Sequence, residues 1–336
     1  MNLIINYSLK ILRLLPPEAS SDLSLITNKL FFLIFNYFIK NNYLQKTKNK
    51  NISLLNLNFP NRIGLGAGLD KKGKYVESLG NLGFGFIEVG TFTPLPQKGN
   101  EHPRIKRLKS KNSLINRLGF NNPGIDIGLK NLEKNRKKFN GIVGISIGKN
   151  KNTSLESAHL DYVYCLQKAY LAADYIALNI SSPNTDGLRE LFRENYFDSL
   201  IGNINYEASK LQKDLNKFTP LFLKISPDEN EERIEEIIEC SLRNNISGFI
   251  VSNTSLGQFK NIEGGISGEL LKAKSIRMLQ IVNKINARRG LVISSGGIST
   301  KEDLEQRRAL GADLFQIYTS FVYEGPKIID DLLHWS

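Results

Sequence analysis

The stretch "ALNISSPNT" (177–185) places Asn179, Ser181, Ser182 and Asn184 directly behind an apolar run that Pro183 interrupts. Two readings fit these residue types. Ser, Pro, Asn and Thr build turns and helix caps; a serine hydroxyl at the exit of a buried strand can also serve as a nucleophile or a proton acceptor. A serine–histidine hydrolase is disfavoured, because nothing resembles G-x-S-x-G. The three histidines are His102 in a long loop and His159 and His334 on helical segments. Lys224 closes the apolar segment "LFLKI" (221–225). An ammonium there is either the electrostatic partner of an anionic ligand or, with a lowered pKa, a Schiff-base nucleophile. Asn116, Asn179, Asn184 and Asn253 offer amide donors and acceptors, which suit a small ligand mixing carbonyls, N–H groups and a carboxylate. "SSGGI" (294–298) and "IYTS" (317–320) add two glycines that permit close backbone approach and the Thr319 hydroxyl, the parts of a phosphate cradle.

These residues need elements to hold them. Short apolar segments at 63–67, 86–90, 142–147, 175–180, 221–225, 248–251, 291–294 and 314–317 read as strands. Amphipathic helices are expected between them, at 123–138, 157–172, 231–244, 270–287 and 300–310, the third opening on an acidic turn as its dipole prefers. Eight strand–helix units over roughly 280 residues predict a (β/α)8 TIM barrel, for which about 250 residues is typical. A doubly wound sheet is the alternative, but "GLGAGLDKKG" (64–73) lacks the dinucleotide-binding glycine spacing. In a barrel the strand exits share one face. They deliver, in order, Ala67 and Gly68 with Asp70 and Lys71, then Thr91, Ser146, Asn179 with Ser182, Lys224, Ser252-Asn253-Thr254, Gly296-Gly297, and Tyr318-Thr319. Polar or glycine residues at all eight exits describe a lined pocket. The Gly296-Gly297 turn after strand seven and the Thr319 hydroxyl after strand eight predict a phosphate-bearing cofactor. The two long interruptions, 91–122 and 253–268, fall on the same face.

The chain has 336 residues, 41% hydrophobic and 23% charged, which suits a folded protein with a large core. Its formal net charge is +12, yet the lysines are dispersed. Without a basic run interleaved with aromatics, a zinc spacing or a nucleic-acid module, no nucleic-acid partner is expected. Cys165 and Cys240 suggest neither a disulfide framework nor an iron–sulfur site, and fit a reducing cytoplasm. Residues 1–15 and 23–43 read as two apolar helices with basic flanks, split by Pro16-Pro17 and followed by a Lys/Asn-rich linker at 46–51. Their densest segment, "LFFLIFNYFI" (30–39), is about half the ~20 residues a bilayer requires. The pair either lies in a membrane interface or covers one end of the main domain. From composition alone the covering role is favoured.

Ten motifs carry a resemblance. They are "GLGAGLDKKG" (64–73), "GFGFIEVGTFTPLPQKGNEHPR" (83–104), "INRLGFNNPG" (115–124), "GISIGKNK" (144–151), "LNISSPNTDGLR" (178–189), "LKISPD" (223–228), "SNTSL" (252–256), "GGISG" (264–268), "SSGGI" (294–298) and "QIYTSF" (316–321). In order and spacing, from about residue 45 to the end, the chain resembles the dihydroorotate dehydrogenases, specifically the quinone-dependent, membrane-associated class 2 enzymes. The resemblance implies oxidation of (S)-dihydroorotate to orotate in pyrimidine synthesis, with FMN accepting the hydride from C6 and a membrane quinone as final acceptor. It implies that Ser182 is the base that removes the C5 proton. Lys71, Asn116, Arg117, Leu118, Gly119, Phe120, Asn179, Asn184, Asn253 and Thr254 then hold the substrate. Ala67, Gly68, Leu69, Asp70, Lys71, Thr91, Ser146, Asn179, Lys224, Ser252, Gly268, Gly297, Tyr318 and Thr319 correspond to the FMN-binding positions.

Some positions depart from the family's pattern. Ser146 stands where the family typically has Asn, which predicts a flavin contact that is shorter-reaching or carried by water. Ser252 and Thr319 exchange one hydroxyl residue for another, which preserves donation, and Ser294-Ser295 replaces the more usual Gly-Val, a change whose effect the sequence does not give. With the family in view, an interfacial role for the N-terminal helices leads. The expected organisation is a helical extension over 1–45 that meets the membrane surface and admits quinone, and a catalytic barrel over 46–336. A monomer, peripheral on the cytoplasmic side of the cell membrane, is expected. The rivals are a Schiff-base lyase or aldolase built on Lys224, and a basic peripheral membrane- or RNA-binding protein.

Overall fold

The computed structural model describes residues 14–46, 50–185, 187–192, 194–259 and 262–334. In chain order its strands begin with β1 (Ile52–Leu54), β2 (Leu57–Phe59), β3 (Ile63–Leu65), β4 (Phe86–Phe92), β5 (Ile105–Leu108), β6 (Ser113–Asn116) and β7 (Ile142–Ile147). They continue with β8 (Tyr175–Leu178), β9 (Leu221–Ile225), β10 (Gly248–Val251), β11 (Ser255–Phe259), β12 (Ile262–Gly268), β13 (Leu291–Ser295) and β14 (Leu314–Ile317). Strands β3, β4, β7, β8, β9, β10, β13 and β14 close into a parallel barrel in that order. These eight are the strands expected from the sequence. Most of their residues are buried, as in a parallel sheet covered by helices, which is why they read as unbroken apolar runs.

The helices between the strands follow their local signals. Asn230 caps the helix Glu231–Arg243 by accepting from the Arg233 N–H at 2.8 Å, and two glutamates occupy its first turn. Thr300 and Asp303 form a capping box on the helix Lys301–Ala309.

The end of the barrel opposite the strand exits is filled. Phe86, Ile142, Tyr175, Phe222, Ile250, Ile293 and Leu314 pack there with Phe59 from the β1–β2 hairpin. Phe59 meets Phe86 edge to face at 5.6 Å between ring centroids. On β3 only glycine fits: a Cβ at Gly64 would lie 2.3 Å from the Phe86 ring. The remaining open end is the one carrying the strand exits.

The two long interruptions carry more order than the sequence predicts. Strands β5, β6, β12 and β11 form one antiparallel sheet, joined by pairing of Asn116 with Gly265 and of Ser113 with Gly268. The N-terminal region also differs from expectation. A helix, α1 (Pro17–Lys46), begins at the second proline rather than at residue 23, because proline at a first helical position gives up an N–H that has no intrahelical acceptor. The helix expected over 1–15 lies, apart from its last two residues, outside the described residues. α1 docks on the barrel through buried Leu25 and Phe32. Glu18 is bound by the Arg104 guanidinium at 2.6–3.1 Å, and Lys29 Nζ donates to Asn135 Oδ1 at 2.6 Å. Among the described residues no helix is long and apolar enough to cross a membrane.

Candidate active site

The open end of the barrel holds a cavity of about 580 Å³. Lys224 of β9 and Gln316 of β14 lie at its floor, the β5–β6–β12–β11 sheet forms one wall, and Pro17 and Ser21 bring the start of α1 to its rim.

The two serines of "ISSPNT" are separated by their surroundings. Ser181 is fully buried and its Oγ accepts from Asn253 Nδ2 at 3.0 Å. Ser182 lines the cavity, and its Oγ accepts from the Asn184 N–H at 3.3 Å. β8 ends at Leu178 and the chain turns at Pro183, with the second hydroxyl on the cavity wall.

The asparagines are joined to one another. Asn179 Nδ2 donates to Thr91 Oγ1 at 2.9 Å, and its Oδ1 accepts from Asn253 Nδ2 at 3.1 Å. Asn184 Nδ2 donates to Asn116 Oδ1 at 2.9 Å, while Asn116 Nδ2 donates to the Gly265 carbonyl at 3.0 Å. Each amide is thereby oriented, and each keeps hydrogen-bonding capacity for a ligand. Ser146 lies behind them: its Oγ shares a 2.9 Å hydrogen bond with Thr91 Oγ1, and it does not line the cavity. The short serine therefore supports Thr91 from behind the cavity wall.

On the floor, Lys224 Nζ lies 3.5 Å from Glu88 Oε1. The other Glu88 oxygen accepts from Gln316 Nε2 at 2.8 Å and from the Tyr175 hydroxyl at 3.1 Å. Burial and the Glu88 charge push the Tyr175 phenol well above its ordinary value, so it remains a neutral donor. Glu88 is fully buried, and a cation and two donors surround it. Sequence reasoning passed over Glu88 and Gln316. Their signal was an acid and an amide inside the apolar runs "FIEVGTF" and "LFQI".

Tyr318 and Thr319 lie at the exit of β14. Burial pushes the Tyr318 phenol up to about 12, and it donates to the Gly68 carbonyl at 3.3 Å. Thr319 Oγ1 donates to Ser267 Oγ at 2.8 Å. Gly268, Gly296 and Gly297 beside them all have positive φ, at 88°, 109° and 73°, a conformation that side chains resist. At the other edge, burial pulls the Lys71 ammonium below its ordinary value, with Glu18 and Asp22 opposing that shift.

The cavity collects nearly all the residues singled out from the sequence. Ser182, Lys71, Asn116, Leu118, Gly119, Phe120, Asn179, Asn184, Asn253 and Thr254 line it, as do Ala67, Gly68, Leu69, Thr91, Lys224, Ser252, Gly268, Gly297, Tyr318 and Thr319. Three do not. Besides Ser146, Asp70 turns its carboxylate onto the N–H groups of Lys72, Lys74 and Tyr75 at 2.8–3.3 Å, a loop-closing role. Arg117 is exposed and does not line the cavity. The histidines stay outside: His102 Nδ1 lies 3.2 Å from Glu18, and His159 contacts the Glu156 carbonyl. Among the described residues no cluster of His, Cys, Asp or Glu could hold a metal ion.

Comparison with known proteins agrees with this geometry. Residues 50–334 match the family described as dihydroorotate dehydrogenase. A dihydroorotate dehydrogenase (quinone) of Buchnera aphidicola subsp. Schizaphis graminum is 41% identical over 333 residues, covering 96% of this chain and 97% of that protein. One from Coxiella burnetii (strain Dugway 5J108-111) is 40% identical over 328 residues, covering 96% and 93%. The crystal structure of DHODH from Eimeria tenella in complex with ferulenol superposes with a TM-score of 0.79 at 32% identity, covering 90% of this chain and 89% of that one. A closed parallel barrel, a polar mouth built at its strand exits and likeness over nearly the whole length converge: the chain belongs to the dihydroorotate dehydrogenase family.

Proposed function

We propose that the cavity binds FMN and (S)-dihydroorotate together, that Ser182 takes the C5 proton of the substrate as orotate forms, and that a membrane quinone reached beside α1 is the final electron acceptor. The observation that carries this reading is the Ser182 hydroxyl facing a cavity walled by oriented asparagine amides, with a glycine-built anion cradle in the same opening.

The residues present fit a flavin mononucleotide. Gly268, Gly297 and Thr319 offer a phosphate close backbone approach and a hydroxyl. An isoalloxazine carries both N–H and carbonyl groups. The floor answers with the Lys224 ammonium and with Gln316 Oε1, a buried acceptor without a hydrogen-bond partner among the described residues. When bound, FMN supplies the acceptor for the hydride from C6. The chain's own residues do the rest. Asn116, Asn184 and Asn253 fix the substrate's polar edge, so that C5 meets one hydroxyl. Ser182 is a weak base by itself, so its proton must be handed on. Thr185, three residues along, has a buried hydroxyl without a partner among the described residues, which suits that relay. The rival Schiff-base role for Lys224 is opposed by its ion pair with Glu88.

The membrane part of the reading rests on α1. Leu23, Ile26, Leu30 and Leu33 recur at helical spacing and are 42–61% exposed, while Leu25 and Phe32 on the opposite face are buried against the barrel. A helix that is apolar on both faces and sits at the cavity rim suits an interface with lipid.

The test is anaerobic mixing of the flavin-loaded protein with dihydroorotate while the flavin absorbance is followed. The parent should bleach, and Ser182→Ala should keep its flavin yet be reduced at least about 100-fold more slowly, the scale of lost general-base catalysis. Undiminished bleaching in that variant would refute the base.

A further inference from the structure

We propose that Arg189 and Asp228 are positioning residues for Ser182, forming a clamp that fixes the loop leaving β8 so that the hydroxyl meets the substrate's C5 proton. The proposal rests on the reading of Ser182 as the base and deepens it.

Arg189 lies seven residues beyond Ser182, and its guanidinium serves three separate segments. Nε donates to the Ser181 carbonyl at 3.2 Å, Nη2 to the Thr254 carbonyl at 3.2 Å, and Nη1 to Asp228 Oδ2 at 2.7 Å. The first of these bonds ties the end of the loop back to its start, one residue before Ser182. The second ties it to the turn after β10, which carries Asn253 and Thr254 on the cavity wall. Only a planar fork with several fixed donors reaches three acceptors in this way, and a lysine ammonium cannot reproduce it.

Asp228 is the anchor of the fork. It follows β9 and gathers four donors. Oδ2 accepts from Arg189 and from the Leu256 N–H at 2.7 Å, and Oδ1 accepts from Ser255 Oγ at 2.5 Å and from Lys274 Nζ. The carboxylate thus joins the β8 loop, the β11 strand and the helix Glu269–Asn286 at one point. Burial favours its protonation, but the Lys274, Ser255, Leu256 and Arg189 hydrogen bonds outweigh that and hold it below the ordinary carboxylate value.

The consequence falls on Ser181 and Ser182. The Ser181 carbonyl is held by Arg189 and its hydroxyl by Asn253, so the peptide leading into Ser182 is fixed on both sides. Ser182 itself is lightly held, by the Asn184 N–H at 3.3 Å, which leaves its hydroxyl available for chemistry. Its direction is therefore set by its neighbours, and errors of about 1 Å in such groups cost roughly 100-fold in rate.

Arg189→Lys and Asp228→Asn are the test, each compared with the parent and with Ser182→Ala in the anaerobic half-reaction. Both should retain flavin, and both should reduce flavin about 10- to 100-fold more slowly at saturating dihydroorotate. Deuterium at C5 should slow them more than it slows the parent, and deuterium at C6 less, because proton removal then limits the rate. A structural staple alone would not redistribute the two isotope effects. Ser255→Ala, which removes one donor from Asp228 without touching Arg189, should give the same redistribution in smaller degree. Parent-like reduction in the clamp variants while Ser182→Ala is slow would overturn the clamp and leave the base standing, as would slowing that appears in the C6 effect alone. Rapid reduction in Ser182→Ala would overturn the base, and the clamp with it.

Discussion

Arg307 has no exposed surface, and three oxygens hold it there. Nη1 donates to Ser294 Oγ at 2.9 Å, while Nη2 donates to Ser275 Oγ at 2.8 Å and to the Gly296 carbonyl. Burial pulls its pKa down to about 10, with Asp303 opposing, so it remains a cation at neutral pH. The Ser294 of "SSGGI" had no visible purpose in the sequence, because its partner lies thirteen residues away on a helix. In the fold it satisfies a buried charge directly behind the Gly296-Gly297 turn. Ser294→Ala should cost about 1–3 kcal/mol in denaturant unfolding, the penalty of a buried charged donor left without an acceptor. Ser146 illustrates the same limit. Its type and strand were legible, but its role as the support of Thr91 depends on a cross-strand distance that local sequence does not encode.

At the scale of elements, the barrel strands were legible because each is buried on both faces and reads as an apolar run. The sheet β5–β6–β12–β11 was not. Its strands are short and partly exposed, and its central pairing joins residues about 150 positions apart, so the stabilising partner is invisible to any local window. The start of α1 was misplaced because a Pro-Pro pair reads as a break, although the second proline suits a first helical turn. What holds that turn down is testable. Burial would raise the Glu18 pKa, but Arg104, with smaller help from Lys71 and His102, holds it below the ordinary value. A depressed carboxylate contributes stability that is complete above its unfolded pKa and is lost as pH falls through the folded one. The docking of α1 should therefore be independent of pH from 5 upward and weaken below about pH 4. Glu18→Gln should remove that acid dependence and lower hydrogen-exchange protection in the first turns of α1 about tenfold at neutral pH, the loss of one charge-assisted bond. A variant whose protection still falls in acid as the parent's does would show that another group controls the docking.

For the whole molecule, one end of the barrel is filled by the β1–β2 hairpin and the other holds the cavity. The start of α1 shares that rim, and the exposed stripe Leu23, Ile26, Leu30 and Leu33 faces away from the barrel. A net charge of +12 adds long-range attraction to an anionic surface. The two terms separate experimentally, since the charge term is screened by salt and the apolar term is not. Replacing Leu30 and Leu33 together by Glu removes about 1.5–3 kcal/mol of apolar transfer at each position. It should weaken co-sedimentation with anionic vesicles by at least about 100-fold, and the residual binding should be salt-sensitive. Neither side chain lines the cavity or packs in the core, so anaerobic flavin reduction by dihydroorotate should keep its parent rate. Turnover with a vesicle-borne quinone should fall, while turnover with a water-soluble quinone analogue should not. Equal losses with both acceptors would mean that the helix serves the barrel's integrity and has no part in bringing it to the membrane.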